Sequence, residues 1–292
     1  MNNRMVKCVV VLSALLSGMA FGEKLDTTQF QHAAGIRASG YTGNVTLTNF
    51  PLLVRLSAAR LPSFVSSDAG ERGANMRFAD LEGNLLAHEV DEWNTDGESL
   101  IWVSVPEFKP GTTIAAYWDP VPGATLPAVF ASDVWDSAGY VAVWHFNDTN
   151  LTNSASTDVP ISYAAGCVVS NDVGKTGHCI RRTGTLTVDD YLKHGVGSSH
   201  WTWSMWTKWA NHTASVQKQY IMKGTWGEGW YTEYNNSAST LALIVGTENI
   251  GFGTVTAVNW NYIAMSYSGS IIRTYVNGSK STARGYTIYE WQ

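Results

Sequence analysis

Cysteine is scarce in this chain, three in 292 residues, and one of them, Cys8, sits in the N-terminal apolar segment. The spacing of the other two is not C-x-x-C, and no His pair accompanies it, so zinc and thioredoxin-like signatures are missing. Charge is thin as well. Charged residues make up 15% of the chain, the formal net charge is −5, and no Lys/Arg run occurs, so there is no electrostatic footprint for nucleic acid or an anionic membrane surface. The longest apolar core, from Val9 to Met19, is too short to span a bilayer as a stable helix. No Ser-His-Asp constellation, nucleophile elbow or glycine-rich phosphate loop is legible. Helical periodicity is almost absent, which turns attention to strands.

What remains is an apolar, aromatic, turn-rich sequence. Hydrophobic residues account for 45% of it, enough for two domains of ordinary size. Arg4 and Lys7 precede the apolar Val9 to Met19 run, and Ala20-Phe21-Gly22 ends it as a small-x-small site before Glu23. This order predicts a cleaved signal peptide over 1–22 and a secreted, periplasmic or cell-surface product with no membrane span after cleavage. In such a compartment Cys167 and Cys179, which bracket the turn Ser170 to Gly174, can form a disulfide between neighbouring strands, stabilising by about 3 kcal/mol; two buried thiols are the alternative.

Strand signals follow one another along 23–119: Val45 to Leu56, Met76 to Phe78, Leu85 to Trp93, Ser99 to Phe108 and Thr112 to Trp118. Turn residues separate them at Glu82-Gly83-Asn84, Thr95-Asp96-Gly97 and Pro110-Gly111. Pro51 assigns the Val45 to Leu56 strand to a sheet edge or a bulge, and a short helix is expected over 61–65. Pro120, Pro122, Gly123 and Pro127 mark a linker over 120–137. A second strand-rich region, 138–292, ends in two alternating strands joined by Ser268-Gly269-Ser270 and followed by Asn277-Gly278, an antiparallel hairpin signal. The expected fold class is all-β, two antiparallel β-sandwich domains over 23–119 and 138–292.

Two family resemblances accompany these patterns. The run Asn75 to Phe78, with Glu89-Val-Asp-Glu-Trp93, Ile101-Trp-Val-Ser-Val-Pro106 and Gly111 to Trp118, resembles domain of unknown function 2341 over roughly 45–122, a module often found ahead of laminin-G-like domains. That family usually carries Asp where this chain has Asn75. The segments Tyr140 to Phe146, expected to be the opening strand, Gly174 to Gly177, Trp201 to Trp206, Tyr220 to Gly224, Leu241 to Val245 and Trp260 to Gly278 resemble a laminin-G-like (LamG) jelly roll of the concanavalin A-like lectin and glucanase class. The resemblance implies binding of sugars, proteins or calcium, and a jelly roll incomplete at its C-terminus, since the family's last strands have no counterpart before Gln292.

Candidate sites are few. Glu89 and Asp91 share one strand face, about 6.5–7 Å apart, as paired glycosidase carboxylates would. The family-sixteen hydrolase pattern requires a third acid where Asn94 stands, so a structural role is expected. His145, inside the Trp-His-Phe run, is read as a half-buried structural imidazole. Trp226-Gly-Glu-Gly-Trp-Tyr231 is expected to be a loop whose Trp226, Trp230 and Tyr231 contact a ligand with Glu228 as acceptor. Trp201 and Trp203 lie on one strand face and Trp206 on the other, and all three are expected to pack. Asp189-Asp190 and Asn147-Asp148 offer oxygen donors for calcium, without the spacing that fixes a site. No other cofactor is expected. These features together imply a non-catalytic protein that recognises polysaccharide or a surface protein, with a polysaccharide-active hydrolase or an adhesive structural protein as alternatives.

Overall fold

The computed structural model describes residues 23–147, 151–156, 161–163, 167–170, 174–182, 187–188, 200–208, 218–223, 230–235, 239–245, 248–256 and 259–285. The segment 1–22, together with Asp148, Asp189, Asp190, Trp226, Glu228 and the residues after Gly285, lies outside them. Seven strands come first: β1 (Phe30–Arg37), β2 (Leu47–Leu56), β3 (Arg77–Ala79), β4 (Leu85–Leu86), β5 (His88–Glu92), β6 (Ser99–Phe108) and β7 (Thr113–Pro120). One short helix, α1 (Ser132–Asp136), follows. Next come β8 (Ile161–Tyr163), β9 (Cys167–Ser170), β10 (Cys179–Arg182) and β11 (Thr187–Val188), which make two small ladders, β8 with β11 and β9 with β10. The remaining strands are β12 (Trp201–Thr207), β13 (Lys218–Lys223), β14 (Trp230–Asn235), β15 (Thr240–Val245), β16 (Glu248–Thr254), β17 (Asn261–Tyr267), β18 (Ile271–Val276) and β19 (Ser279–Gly285). All described ladders are antiparallel, and the protein is all-β with sandwich character.

Two sheets, β1-β7-β3-β4 and β2-β6-β5, enclose the first core. Alternation decides what enters it. In β7, Ile114, Ala116 and Trp118 are buried while the residues between them are half-exposed. Strand β6 departs from alternation, because Ile101, Val103 and Val105 face the core while Ser104, on the opposite face, is also buried. The opposite face is covered by α1 and the chain after it, with Trp102 packed on Val134, Trp135 and Ala155. Pro51 sits, as expected, on an edge strand, and Asn49, at φ 48°, lies between the Thr48–Glu107 and Phe50–Val105 pairs without a change of register.

Four-stranded sheets β12-β17-β18-β19 and β13-β14-β15-β16 carry the second core. Leu241, Leu243, Ile250 and Phe252 of one meet Ile263, Met265, Tyr267 and Ile272 of the other. Thr274, fully buried, donates across to the Gly251 carbonyl at 2.9 Å. The predicted hairpin is present: β17 pairs with β18 around Ser268 to Ser270, and Asn277 (φ 50°) with Gly278 (φ 81°) turns the chain into β19. Two consecutive positive φ values are those of a type I′ turn, which explains the Asn-Gly pair.

Three expectations are corrected. Residues 61–65 form turns, not a helix, because Phe64 drops into the core against Trp93 and Trp118; a 3-10 turn over Ser66–Ala69 follows. Tyr140 to Phe146 is not a strand; it runs as irregular chain over the face of β5 and β6, with Phe146 at φ 58°. The Cys167–Cys179 disulfide is not formed. The β9–β10 register sets Cys167 opposite Arg182 and Cys179 opposite Ser170, so the two cysteines occupy opposite ends of the ladder. A stagger of three residues is about 10 Å of strand, beyond the ~7 Å that a disulfide can bridge between Cα atoms.

Candidate functional site

Glu89 and Asp91 do share a face of β5, the one turned away from the first core. Pairing skips between Val90–Ile101 and Glu92–Leu100, which leaves Asp91 as the extra residue of a bulge. Between the two carboxylates lies His145. Its Nε2 is 3.1 Å from Glu89 Oε2 and its Nδ1 is 3.4 Å from Asp91 Oδ2. The imidazole is stacked on Trp102, with centroids 6.0 Å apart, and lies 5.4 Å from the Trp135 ring.

Donors converge on the same carboxylates. Trp135 Nε1 donates to Glu89 Oε2 at 2.6 Å, and Ser154 Oγ donates to Glu89 Oε1 at 2.6 Å. Trp102 Nε1 donates to Asp91 Oδ2 at 3.1 Å, and Asn147 Nδ2 donates to Asp91 Oδ1 at 2.9 Å and to its carbonyl at 2.6 Å. Burial pushes the Glu89 carboxyl up, but the hydrogen bond and charge of His145, with Ser154 and Trp135, outweigh it and leave the group below its ordinary range. Asp91 goes the other way: burial, joined by the Glu89 charge, lifts it despite His145, Trp102 and Asn147. For His145, burial favours the neutral ring, yet the Glu89 hydrogen bond and both carboxylate charges raise it above the ordinary imidazole value. The cluster is a cation between two anions, each oxygen already engaged.

A polar cleft of about 470 Å³ opens beside it, lined by Arg72, Glu92, Trp93, Asn94, Thr152 and His178 together with the two acids. A glycosidase needs an open space between its carboxylates for the scissile bond or a water. Here an imidazole ring fills that space, and Glu89 and Asp91 anchor the chain from Trp135 to Ser154. The sequence did not single out Trp102, Trp135 or Ser154 as partners. Only the tertiary fold brings residues 46 and 65 positions distant to Glu89.

The other predicted site residues fare differently. Trp226 and Glu228 lie outside the described residues. Trp230 and Tyr231 do not belong to a loop; they begin β14, opposite Lys223 and Met222 on one side and Val245 and Ile244 on the other. Cross-strand pairing on both sides of β14 draws these two residues into the sheet. Of the calcium donors, Asn147 turns its amide nitrogen to Asp91. A separate group, the exposed His32 with the half-buried Asp68 and Asp119, places one ligand-type atom from each residue within 4.8 Å of the others.

Trp206 is a further surprise. Trp201 and Trp203 pack against the second core, whereas Trp206 is 40% exposed on the outer face of β12, paired with Tyr262 at 5.2 Å between centroids and 51° between planes. Lys175 Nζ lies 5.1 Å from the Trp206 ring centre, and Lys208 Nζ lies 5.3 Å from that of Trp260.

The fold defines the class, an all-β antiparallel sandwich protein. Compared with known protein families, curated proteins and solved structures, the chain has no match in any of the three. Among the described residues no helix is long and apolar enough to cross a membrane.

Proposed function

We propose that this chain is a non-catalytic binding protein, secreted or held at the cell envelope, that recognises polysaccharide through its second sandwich. Residues 138–292 form, in this reading, a LamG-like jelly roll of the concanavalin A-like class, and the preceding sheets are the module resembling domain of unknown function 2341. The observation that carries the reading is the pairing of the exposed Trp206 with the half-buried Tyr262 on the outer face of β12 and β17. The two rings, tilted at 5.2 Å, offer aromatic surface suited to the apolar C–H faces of a pyranose, and the Lys175 ammonium over the Trp206 ring supplies a donor to hydroxyl or acid groups.

The saturated Glu89–His145–Asp91 cluster supports binding over hydrolysis. A glycan array probed with and without calcium tests the proposal. Binding to at least one polysaccharide is expected, and Trp206→Ala should weaken it about tenfold or more, the loss of one stacked ring. A full array without binding, or unchanged binding by Trp206→Ala, would remove the glycan reading and favour a surface protein as partner.

A further inference from the structure

Arg77 is 8% exposed, yet among the described residues its guanidinium has no acid partner. Its three hydrogen bonds all go to backbone carbonyls, from Nε to Pro127 at 2.9 Å and from Nη1 to Ala74 at 3.0 Å and Met76 at 2.6 Å. None of the ion pairs among the described residues includes it. Burial lowers its pKa, and no carboxylate acts to raise it again. Carbonyl dipoles soften an unpaired buried cation without neutralising it.

His88, on the core-facing side of β5, is the second member. It is 6% exposed, its ring meets Phe78 edge-on at 5.1 Å, and its Nδ1 has no hydrogen-bond partner. Burial, with the charge of Arg77, outweighs a hydrogen bond to the Leu86 backbone and lowers its pKa to about 4, so the ring is neutral in ordinary buffers. Arg77 and His88 line one cleft of about 460 Å³ whose other walls include Val90, Ala128, Val129 and Ala131. Glu89 reaches the same cleft, but its oxygens are bonded to Ser154, Trp135 and His145. The cation that depresses Glu89 is His145, not Arg77.

We propose that this cleft binds a small organic carboxylate, with Arg77 as its cation and the His88 ring beside it. A single guanidinium beside a fixed Glu89 charge matches a monoanion better than a phosphate dianion, and the Val and Ala walls suit the carbon body of an organic acid. The site lies in the first sandwich and is independent of the aromatic pair. A bound carboxylate cancels the field of Arg77 at His88, so occupancy must raise the His88 pKa.

That rise is the test. Wild-type protein with isotope-labelled histidine is titrated at constant ionic strength with acetate, glucuronate or acetyl-alanine, and His88 is assigned by the loss of its signal in His88→Gln. Acetamide is the uncharged control. The expected result is a saturable change in the His88 signals and an upward shift of its pKa by about one unit or more with at least one acid. The acid that binds most tightly tells whether the source is a free acid, a uronate or a chain terminus. Arg77→Gln should abolish the response; if that variant does not fold, the acid-against-acetamide comparison decides alone. No saturable change with any of the three acids, or the same change with acetamide, overturns the proposal.

Discussion

At the scale of single residues, His145 carries more than its position in the sequence suggests. It is the counter-charge of two buried carboxylates, and removing it leaves both without a cation. His145→Gln is expected to destabilise the protein by about 3–5 kcal/mol, measured by denaturant unfolding, because the uncompensated charges remain buried. The pH dependence has a defined sign. A raised folded-state pKa stabilises fully below the ordinary imidazole value of 6.5 and loses that stabilisation as pH climbs through the raised value. Glu89, lowered in the fold, stabilises above its ordinary 4.5 and loses this as pH falls through the depressed value. His88 acts oppositely to His145: its value of about 4 makes protonation costly to the fold, so stability falls as pH drops from 6.5 toward 4. Thermal unfolding against pH should therefore show an alkaline decline starting above 6.5 that His145→Gln removes. A decline that persists in this variant would show that another group causes it.

At the scale of elements, turns and bulges decide where side chains point. Gly278 holds φ 81° with open space around a would-be Cβ, so Gly278→Ala meets backbone strain and no clash. The expected cost is about 1 kcal/mol, read as a lowered unfolding midpoint with an unchanged denaturant slope. Asn277 reinforces the same turn, since its Oδ1 accepts from the Tyr262 amide at 2.9 Å and its own amide donates back to the Tyr262 carbonyl at 2.8 Å. Such local features were readable beforehand: Asn-Gly requires little beyond two residues, and Ser99 to Phe108 was delimited by its flanking turns to the residue. Tyr140 to Phe146 was not readable. Its apolar composition fits a strand, but it docks through His145 and through the Asn153 side chain, which accepts from the Val143 amide at 2.8 Å, and so it joins no ladder.

At the scale of the whole molecule, stability comes from two apolar cores and a polar fastening, without a covalent link between Cys167 and Cys179. A reducing agent should therefore leave the thermal midpoint unchanged, whereas a native disulfide would lower it by the equivalent of about 2–4 kcal/mol on reduction. The small cluster of Val134, Trp135 and Ala155 on Trp102 joins the chain after α1 to the outer face of β6. Glu89 and Asp91 sit at the border of this contact, which is where a buried ion triad specifies one docking geometry among many apolar ones.

Period-two alternation, turn dipeptides and the near-absence of helical pattern were sufficient for the all-β class, for β2 to β7 of the first sandwich and for the closing hairpin, because those signals are local and act within a few residues; β1 was not among the strands they marked. The shared face of Glu89 and Asp91 was determined in the same way. What fills the space between them, the exposure of Trp206, the separation of Cys167 from Cys179 and the unpaired Arg77 were decided only in three dimensions. Each depends on which distant segment arrives, and the free energy of burying a charge or a ring is set by those neighbours, not by the residues beside it in the chain.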